Sequence, residues 1–325
     1  MKAWAALRTS GPEFVVVGDH GALASAGPGG AGVVRRVGAP FEAAAVFPDA
    51  VPVLDAPINK PVVAGQASPA HAASVIRWIE TAVGLALSGA VRAIVTAPIA
   101  KKPLYDAGFP FPGHTEFLAD LVAGEAFAGP RGPVMMLAAL SPAVPLRTAL
   151  VTSHCALADV PRSLSIDKIV RVGRVLDDSL RRDFGMARPR IALAGLNPHA
   201  GEDGALGEEE IVLVNPAAAA LRSLGVDCSN ARPADTLFHE EARRGYDGVI
   251  CLYHDQALIP VKTLDFWAGV NVTLGLPVVR TSPDHGTGFD IAGRGLARPD
   301  SLIAAIRLAD EIAARRARPQ LSAAA

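Results

Sequence analysis

Four short apolar runs end abruptly on polar residues, and this pattern constrains the fold more than any other feature. Residues 148–153 lead to His154, 191–196 to Asn197-Pro198-His199, 248–253 to His254, and 277–282 to Asp284-His285. Short apolar runs bounded by turn residues read as buried strands. Polar groups at the end of a buried strand cost free energy unless something pairs with them. In open α/β sheets that edge is where ligands bind. Helical stretches separate such runs. Residues 68–88 carry Ser68 as a cap, Pro69 in the first turn, and Val75, Ile79, Val83 and Leu87 at helical spacing. Residues 165–184 place Ile166, Ile169, Val170, Val172 and Leu176 on one side, and 300–316 do the same with Leu302, Ile303, Ile306 and Ile312. Strands alternating with helices predict an α/β fold.

Earlier in the chain, 14–19 and 91–95 read as strands, and 40–65 as short strand and loop. Gly113 opens a helix running to about Val122, with His114 and Thr115 in its first turn, where free backbone N–H groups favour anions. Glu208, Glu209 and Glu210 fall in another helical first turn, which suits the helix dipole. The Gly-rich stretch from Gly27 to Gly32 neither leaves a strand directly nor opens a clear helix, so it reads as a surface loop rather than a dinucleotide fingerprint. Residues 319–325 read as a frayed end.

With 325 residues the chain has room for about two domains. Lys plus Arg (31) nearly equals Asp plus Glu (32), which gives no reason to expect nucleic acid or an anionic membrane as partner. The N-terminus has no long apolar core, and the apolar run 132–146 is broken by Pro133, Pro142 and Pro145, so neither a signal peptide nor a membrane span is expected. Cys155, Cys228 and Cys251 lack zinc-ribbon or redox-motif spacing, and read as reduced thiols of a cytoplasmic protein.

His154, His199 and His254 each follow a strand. If those strands run parallel in one sheet, three imidazoles share an edge, and three nitrogen ligands with an open position make a catalytic divalent-metal site. A hydrogen-bonded packing histidine is the competing reading at each position. Asp235 reads equally as a turn residue or a catalytic acid. Lys262 either snorkels to water or sits near the metal, where added positive charge suits proton transfer. Asn271 and Arg280 interrupt apolar sequence; they either cap turns or hold a carboxylate or phosphate. His114 and Thr115 either cap a helix or complete that anion pocket.

Several blocks carry a resemblance. They are Thr96-Ala97-Pro98-Ile99, Gly113-His114-Thr115-Glu116, the block 196–202, Pro233-Ala234-Asp235-Thr236, Tyr253-His254-Asp255-Gln256, Gly269-Val270-Asn271 and the block 280–287. In this order they resemble the 4-hydroxythreonine-4-phosphate dehydrogenase family of pyridoxine biosynthesis, from Phe14 to the last helix. The resemblance implies a two-domain fold like that of isopropylmalate and isocitrate dehydrogenases, with the active site in the interdomain cleft. Its domains would be 1–112 plus 278–325, and 113–277. It implies His154, His199 and His254 as metal ligands, and His114, Thr115, Lys262, Asn271 and Arg280 as substrate-binding residues. Lys262 and Asp235 become the catalytic pair. NAD or NADP and a divalent ion (zinc, magnesium or cobalt) are the implied cofactors. The implied assembly is a homodimer with a shared active site, His254 reaching toward the other subunit. The family also begins with a further strand and a Gly-Asp-Pro-Ala-Gly-Ile-Gly-Pro-Glu loop. The present sequence opens in what reads as the helix after that loop, an arrangement that would leave a sheet edge unpaired.

The implied reaction oxidises 4-phosphooxy-L-threonine to a 3-oxo acid, which decarboxylates to 3-amino-2-oxopropyl phosphate. Three rivals stand beside it: a related dehydrogenase of another phosphorylated four-carbon acid or a dihydrodiol, a metal-dependent hydrolase, and a non-catalytic binding homologue.

Overall fold

The computed structural model describes residues 1–26, 30–58 and 60–318. The expected fraying of 319–325 lies outside the described residues, as does part of the Gly-rich stretch; its later part forms a helical turn, Gly30–Val33. Among the described residues eleven strands run in chain order: β1 (Val16–Gly18), β2 (Val34–Val37), β3 (Val51–Asp55), β4 (Ile94–Val95), β5 (Val134–Ala139), β6 (Leu146–Leu150), β7 (Arg190–Ala194), β8 (Asp227–Arg232), β9 (Gly248–Cys251), β10 (Val270–Leu274) and β11 (Arg280–Pro283). The expected strand 91–95 contracts to the two residues of β4. The chain divides into two compact units, Met1–Glu125 with Pro277–Asp310, and Ala126–Leu276 with Glu311–Ala325.

In the first unit β1, β3 and β2 form a parallel sheet in the order β1-β3-β2, with Val16 opposite Val53 and Val34 opposite Val51. Trp4, Leu7, Phe47, Val53 and Ile306 pack its core. The Trp4 indole N–H is satisfied by the Phe47 carbonyl at 2.7 Å, as a buried donor requires. Helix Ala72–Leu87 buries Ile79 and Val83, and the Ser68 hydroxyl accepts from the Ala70 N–H ahead of it. Separately, β4 and β11 pair in parallel, Arg280 opposite Ile94 and Thr281 opposite Val95. Helix His114–Leu121 belongs to this unit, although the expected boundary at 112 placed it in the second. An aromatic cluster accounts for the difference. Phe117 packs 5.1 Å from both Phe109 and Phe111, so the helix buries its apolar face on the segment preceding it.

In the second unit six strands run β10-β5-β6-β9-β7-β8. The strands that precede the three histidines, β6, β9 and β7, are adjacent and parallel, as the junction pattern predicts. β5 is antiparallel to both β6 and β10, which makes the sheet mixed. Helix Ile166–Arg182 buries Ile169, Val172 and Leu176, and the Ser165 hydroxyl accepts from the Lys168 N–H as its cap. Ile166, expected on the apolar side, is exposed. Helix His254–Leu264 packs across β5 and β6 through Ala257 and Val261, within a core that includes Leu137, Leu146 and Val249. Pro260 lies inside that helix and cannot donate to the Gln256 carbonyl; the Cys251 thiol approaches this carbonyl instead, at 3.8 Å. Among the described residues no helix is long and apolar enough to cross a membrane.

Candidate active site

The first unit gathers cationic and donor groups from two adjacent strands and a helix start. Arg280 is 3 % exposed at the head of β11. Its strand pairing sets it beside the end of β4, where Thr96 follows. The guanidinium donates to Thr96 Oγ1 from Nη2 at 2.6 Å and from Nε at 3.2 Å. Burial lowers the Arg280 pKa to about 10, opposed by the Glu116 carboxylate, so the group stays cationic at neutral pH. His114 and Thr115 open helix His114–Leu121, with extended Gly113 before them and no side-chain cap on the first turn. Burial, then the charges of Arg280 and Lys101, push the His114 pKa down to about 3. His114 is therefore a neutral imidazole facing positive charge. Uncapped helix N–H groups, a buried guanidinium and a nearby ammonium together suit a phosphate or carboxylate. Thr96 and Lys101 join this group without having been given a site role from the sequence, although Thr96 opens one of the blocks that carry the resemblance. The signal for Thr96 was its place directly after a strand.

The second unit brings His154 and His254 together. The β6–β9 register continues past the strands: Val151 N–H donates to the Cys251 carbonyl, and Thr152 donates to the Leu252 carbonyl from its N–H and, at 2.7 Å, its hydroxyl. The two following loops therefore run side by side, and the rings lie 5.8 Å apart between centroids. Two imidazoles sharing a tetrahedral ion, with metal–nitrogen bonds of about 2.0–2.1 Å, place their centroids roughly 5–6 Å apart. The pair fits a shared ion. Asp255 Oδ1 lies 2.7 Å from His254 Nδ1, an orienting contact that leaves Nε2 for a ligand.

His199 does not join them. Among the described residues no group of three metal-ligating side chains occurs. After β7 the chain enters a left-handed turn: φ is +53° at His199, +55° at Ala200, +82° at Gly201, +44° at Glu202 and +54° at Asp203. The turn leaves the His199 side chain 65 % exposed, with Glu202 Oε2 3.5 Å from Nδ1. Parallel strand ends thus share an edge as expected, but only two of the three rings meet.

Asp235 sits in the turn Ala234–Thr236, which packs against the His199 turn. It lines a cavity of ≈ 360 Å³ together with Phe238, Tyr253, Asp255, Ile259 and Leu264. Lys262 lies two turns along the helix from His254, its ammonium 5.6 Å from the centre of the Phe266 ring. Asn271 stands on β10 opposite Leu137 rather than in a turn, and its Oδ1 is buried with no hydrogen-bond partner among the described residues. A buried acceptor left unpaired is costly in the bare protein and suits a ligand that donates to it.

Comparison with known proteins gives the family. The family model described as pyridoxal phosphate biosynthetic protein PdxA matches residues 11–309. A 4-hydroxythreonine-4-phosphate dehydrogenase of Caulobacter vibrioides is 67 % identical over 315 residues, 97 % of this chain and 93 % of that protein. The crystal structure of a 4-hydroxythreonine-4-phosphate dehydrogenase from Klebsiella pneumoniae superposes with a TM-score of 0.79 at 40 % identity, covering 92 % of this chain and 90 % of that one. A terephthalate 1,2-cis-dihydrodiol dehydrogenase from Burkholderia xenovorans is more distant, with a TM-score of 0.56 at 28 % identity over 86 % of this chain and 83 % of that one. The match along nearly the whole sequence, together with the shared α/β fold, makes this chain a member of the pyridoxal phosphate biosynthetic protein PdxA family.

Proposed function

We propose that the chain is a metal-dependent, NAD(P)-linked 4-hydroxythreonine-4-phosphate dehydrogenase acting in pyridoxal phosphate biosynthesis. The observation that carries the substrate class is the buried Arg280–Thr96 pair beside neutral His114, an anchor for a phosphate. It suits an anionic substrate, and 4-hydroxythreonine 4-phosphate, for which the most similar relatives reported above are named, is one. Arg280, His114 and Thr115 hold the phosphate, and Asn271 Oδ1 accepts from a substrate N–H or O–H. His154 and His254 are the histidines that would hold a divalent ion, which supplies a Lewis acid for the alcohol being oxidised. Asp255 orients His254. Lys262, or a water ordered by it, accepts the hydroxyl proton, and Asp235 assists as the nearby acid. A bound NAD+ or NADP+ would supply the hydride acceptor for this oxidation. The 3-oxo acid then loses carbon dioxide to give 3-amino-2-oxopropyl phosphate. Of zinc, magnesium and cobalt, imidazole nitrogen suits zinc and cobalt best, magnesium preferring oxygen donors. The finer fold assignment, of the isopropylmalate and isocitrate dehydrogenase kind, rests on the sequence resemblance. The free thiols of Cys155, Cys228 and Cys251 suit the reducing cytoplasm.

A homodimer with a shared site belongs to the same proposal. Within one chain His254 lies beside His154 and His199 stands apart, so in this reading the imidazole that comes from the second copy is the His199 ring rather than the His254 ring expected from the sequence. Exposed Ile211, Val212 and Ile259 give the second unit apolar surface to bury. The decisive assay follows NAD(P)H formation with 4-phosphooxy-L-threonine, before and after chelation and with metal restored. Product formation without cofactor reduction would instead mark a hydrolase. Substrate binding with no turnover in any metal would mark a binding homologue. Sedimentation of wild-type protein and Ile259→Glu tests the dimer: the variant is expected to run as a monomer and to lose turnover.

A further inference from the structure

The left-handed turn at His199 needs a support, because four of its five residues carry a Cβ. Left-handed backbone is disfavoured for such residues and persists only where the surroundings impose it. The imposing group is Glu210, 2 % exposed at the start of a π-helical turn, Glu210–Val214. Its Oε1 accepts the N–H groups of Leu196 at 2.6 Å and Asn197 at 2.8 Å. Its Oε2 accepts from the Asn197 side-chain amide at 2.9 Å, while that amide also donates to Glu209 Oε2 at 2.7 Å. The turn closes over the carboxylate: a Cβ on Gly201 would stand 2.8 Å from Glu210 Oε2, and one on Gly207 would stand 2.4 Å from Asn197 Nδ2. The near side of the segment is held as well. Gln256, two residues after His254, donates from Nε2 to the Gly195 carbonyl at 2.6 Å and accepts the Leu252 N–H at 2.7 Å. Every residue from Gly195 to Asn197 is thus tied to a buried side chain just before His199 leaves the sheet.

We propose that Glu210 is a positioning residue, whose buried carboxylate holds His199 in its left-handed turn for metal binding. The inference rests on the reading of His199 as a metal ligand and adds the device that presents it. Glu210→Gln keeps the shape and one acceptor oxygen. It turns the other position into a donor facing the Asn197 amide, so the support of the turn is broken on one side.

The test titrates metal-free, full-length protein with cobalt(II) and reads both affinity and the visible ligand-field spectrum. In Glu210→Gln the cobalt affinity is expected to fall about 10–100-fold with a changed spectrum, the loss usual for groups that orient metal ligands. Amide exchange across 199–203 in the metal-free variant is expected to quicken. Inorganic phosphate binding at the Arg280 pocket should be unchanged. A variant that melts earlier yet binds cobalt with wild-type affinity and spectrum would show a structural role only and overturn the proposal. Glu210→Asp, which keeps the charge but withdraws the carboxylate by one methylene from the Leu196 and Asn197 N–H groups, covers the case in which Glu210→Gln does not fold; wild-type cobalt affinity and spectrum there also overturn the proposal. His199→Ala separates the two readings. If it binds cobalt as the wild type does, His199 is no ligand and the proposal falls with that assignment. If it loses cobalt while Glu210→Gln does not, only the positioning role fails.

Discussion

Thr96→Val probes the anion pocket with a nearly isosteric change. The hydroxyl removed accepts two Arg280 N–H groups, at 2.6 and 3.2 Å, and the guanidinium is 3 % exposed. A hydrogen bond to a charged group contributes about 1.5–3 kcal/mol, and an abandoned buried donor costs a similar amount. The 3.2 Å bond lies at the long end of the range, so the pair together should be worth about 2–3 kcal/mol rather than twice the single-bond maximum. For domains of 150–250 residues that corresponds to a fall in melting temperature of about 4–12 °C. Inorganic phosphate provides the acceptors the valine lacks. Its addition should therefore narrow the gap between variant and wild type, although phosphate binds both. Urea midpoints with and without phosphate measure this, with Thr96→Ser as the control that keeps an acceptor. A deficit below about 0.5 kcal/mol, within the usual scatter of surface substitutions, or one that phosphate leaves unchanged, would refute the pocket as described.

Three further outcomes follow from the same geometry. Burial, with the charges of Arg280 and Lys101, holds the His114 pKa down at about 3, well below the ordinary 6.5 of a histidine. Between those pH values the unfolded chain binds a proton that the folded chain refuses, so stability falls as pH drops through this window, by at most about 1.4 kcal/mol per pH unit; His114→Asn should flatten that part of the profile in urea titrations from pH 7 to 4.5. Lys262→Met should lower kcat by about 10²–10⁴-fold while leaving cobalt affinity in place, and an unchanged kcat would remove Lys262 from the proton transfer. Asn271→Leu removes a buried acceptor that has no partner among the described residues, so it should leave stability unchanged or raise it by about 1 kcal/mol while substrate affinity falls about tenfold or more; a less stable variant with normal substrate binding would show the amide to be structural.

The elements that were legible in the sequence are those whose signals are local. Ser165 before an apolar stripe fixed a helix within two residues of its observed span, and the runs before His154, His199 and His254 became three parallel neighbours. The direction of β5 was not legible. Val134–Ala139 would show the same apolar run in a parallel or antiparallel strand, and only its pairing with β6 and β10 decides. The division between units was hidden for a related reason. Phe109, Phe111 and Phe117 are ordinary apolar residues in sequence, and their mutual contact is what assigns helix His114–Leu121 to the first unit.

At the site, the gap between sequence and structure has one physical origin. A strand end fixes where a Cα lies, while the dihedrals of the following loop fix where the side chain goes. For His154 and His254 those loops continue the strand register, so adjacent strands gave adjacent rings. For His199 the loop turns left-handed at residues with no intrinsic preference for it, and the cause lies eleven residues downstream of His199, at Glu210, which accepts the Leu196 and Asn197 N–H groups. An acid in a helical first turn already has a sufficient local explanation in the helix dipole, so Glu210 gave no sign of a second task. The glycines came closest to revealing it. Gly201 and Gly207 are the positions where a side chain would strike Glu210 or Asn197, and both take positive φ. Their spacing in Gly201-Glu202-Asp203-Gly204-Ala205-Leu206-Gly207 marks a backbone folded tightly around something, and the buried carboxylate is what it is folded around.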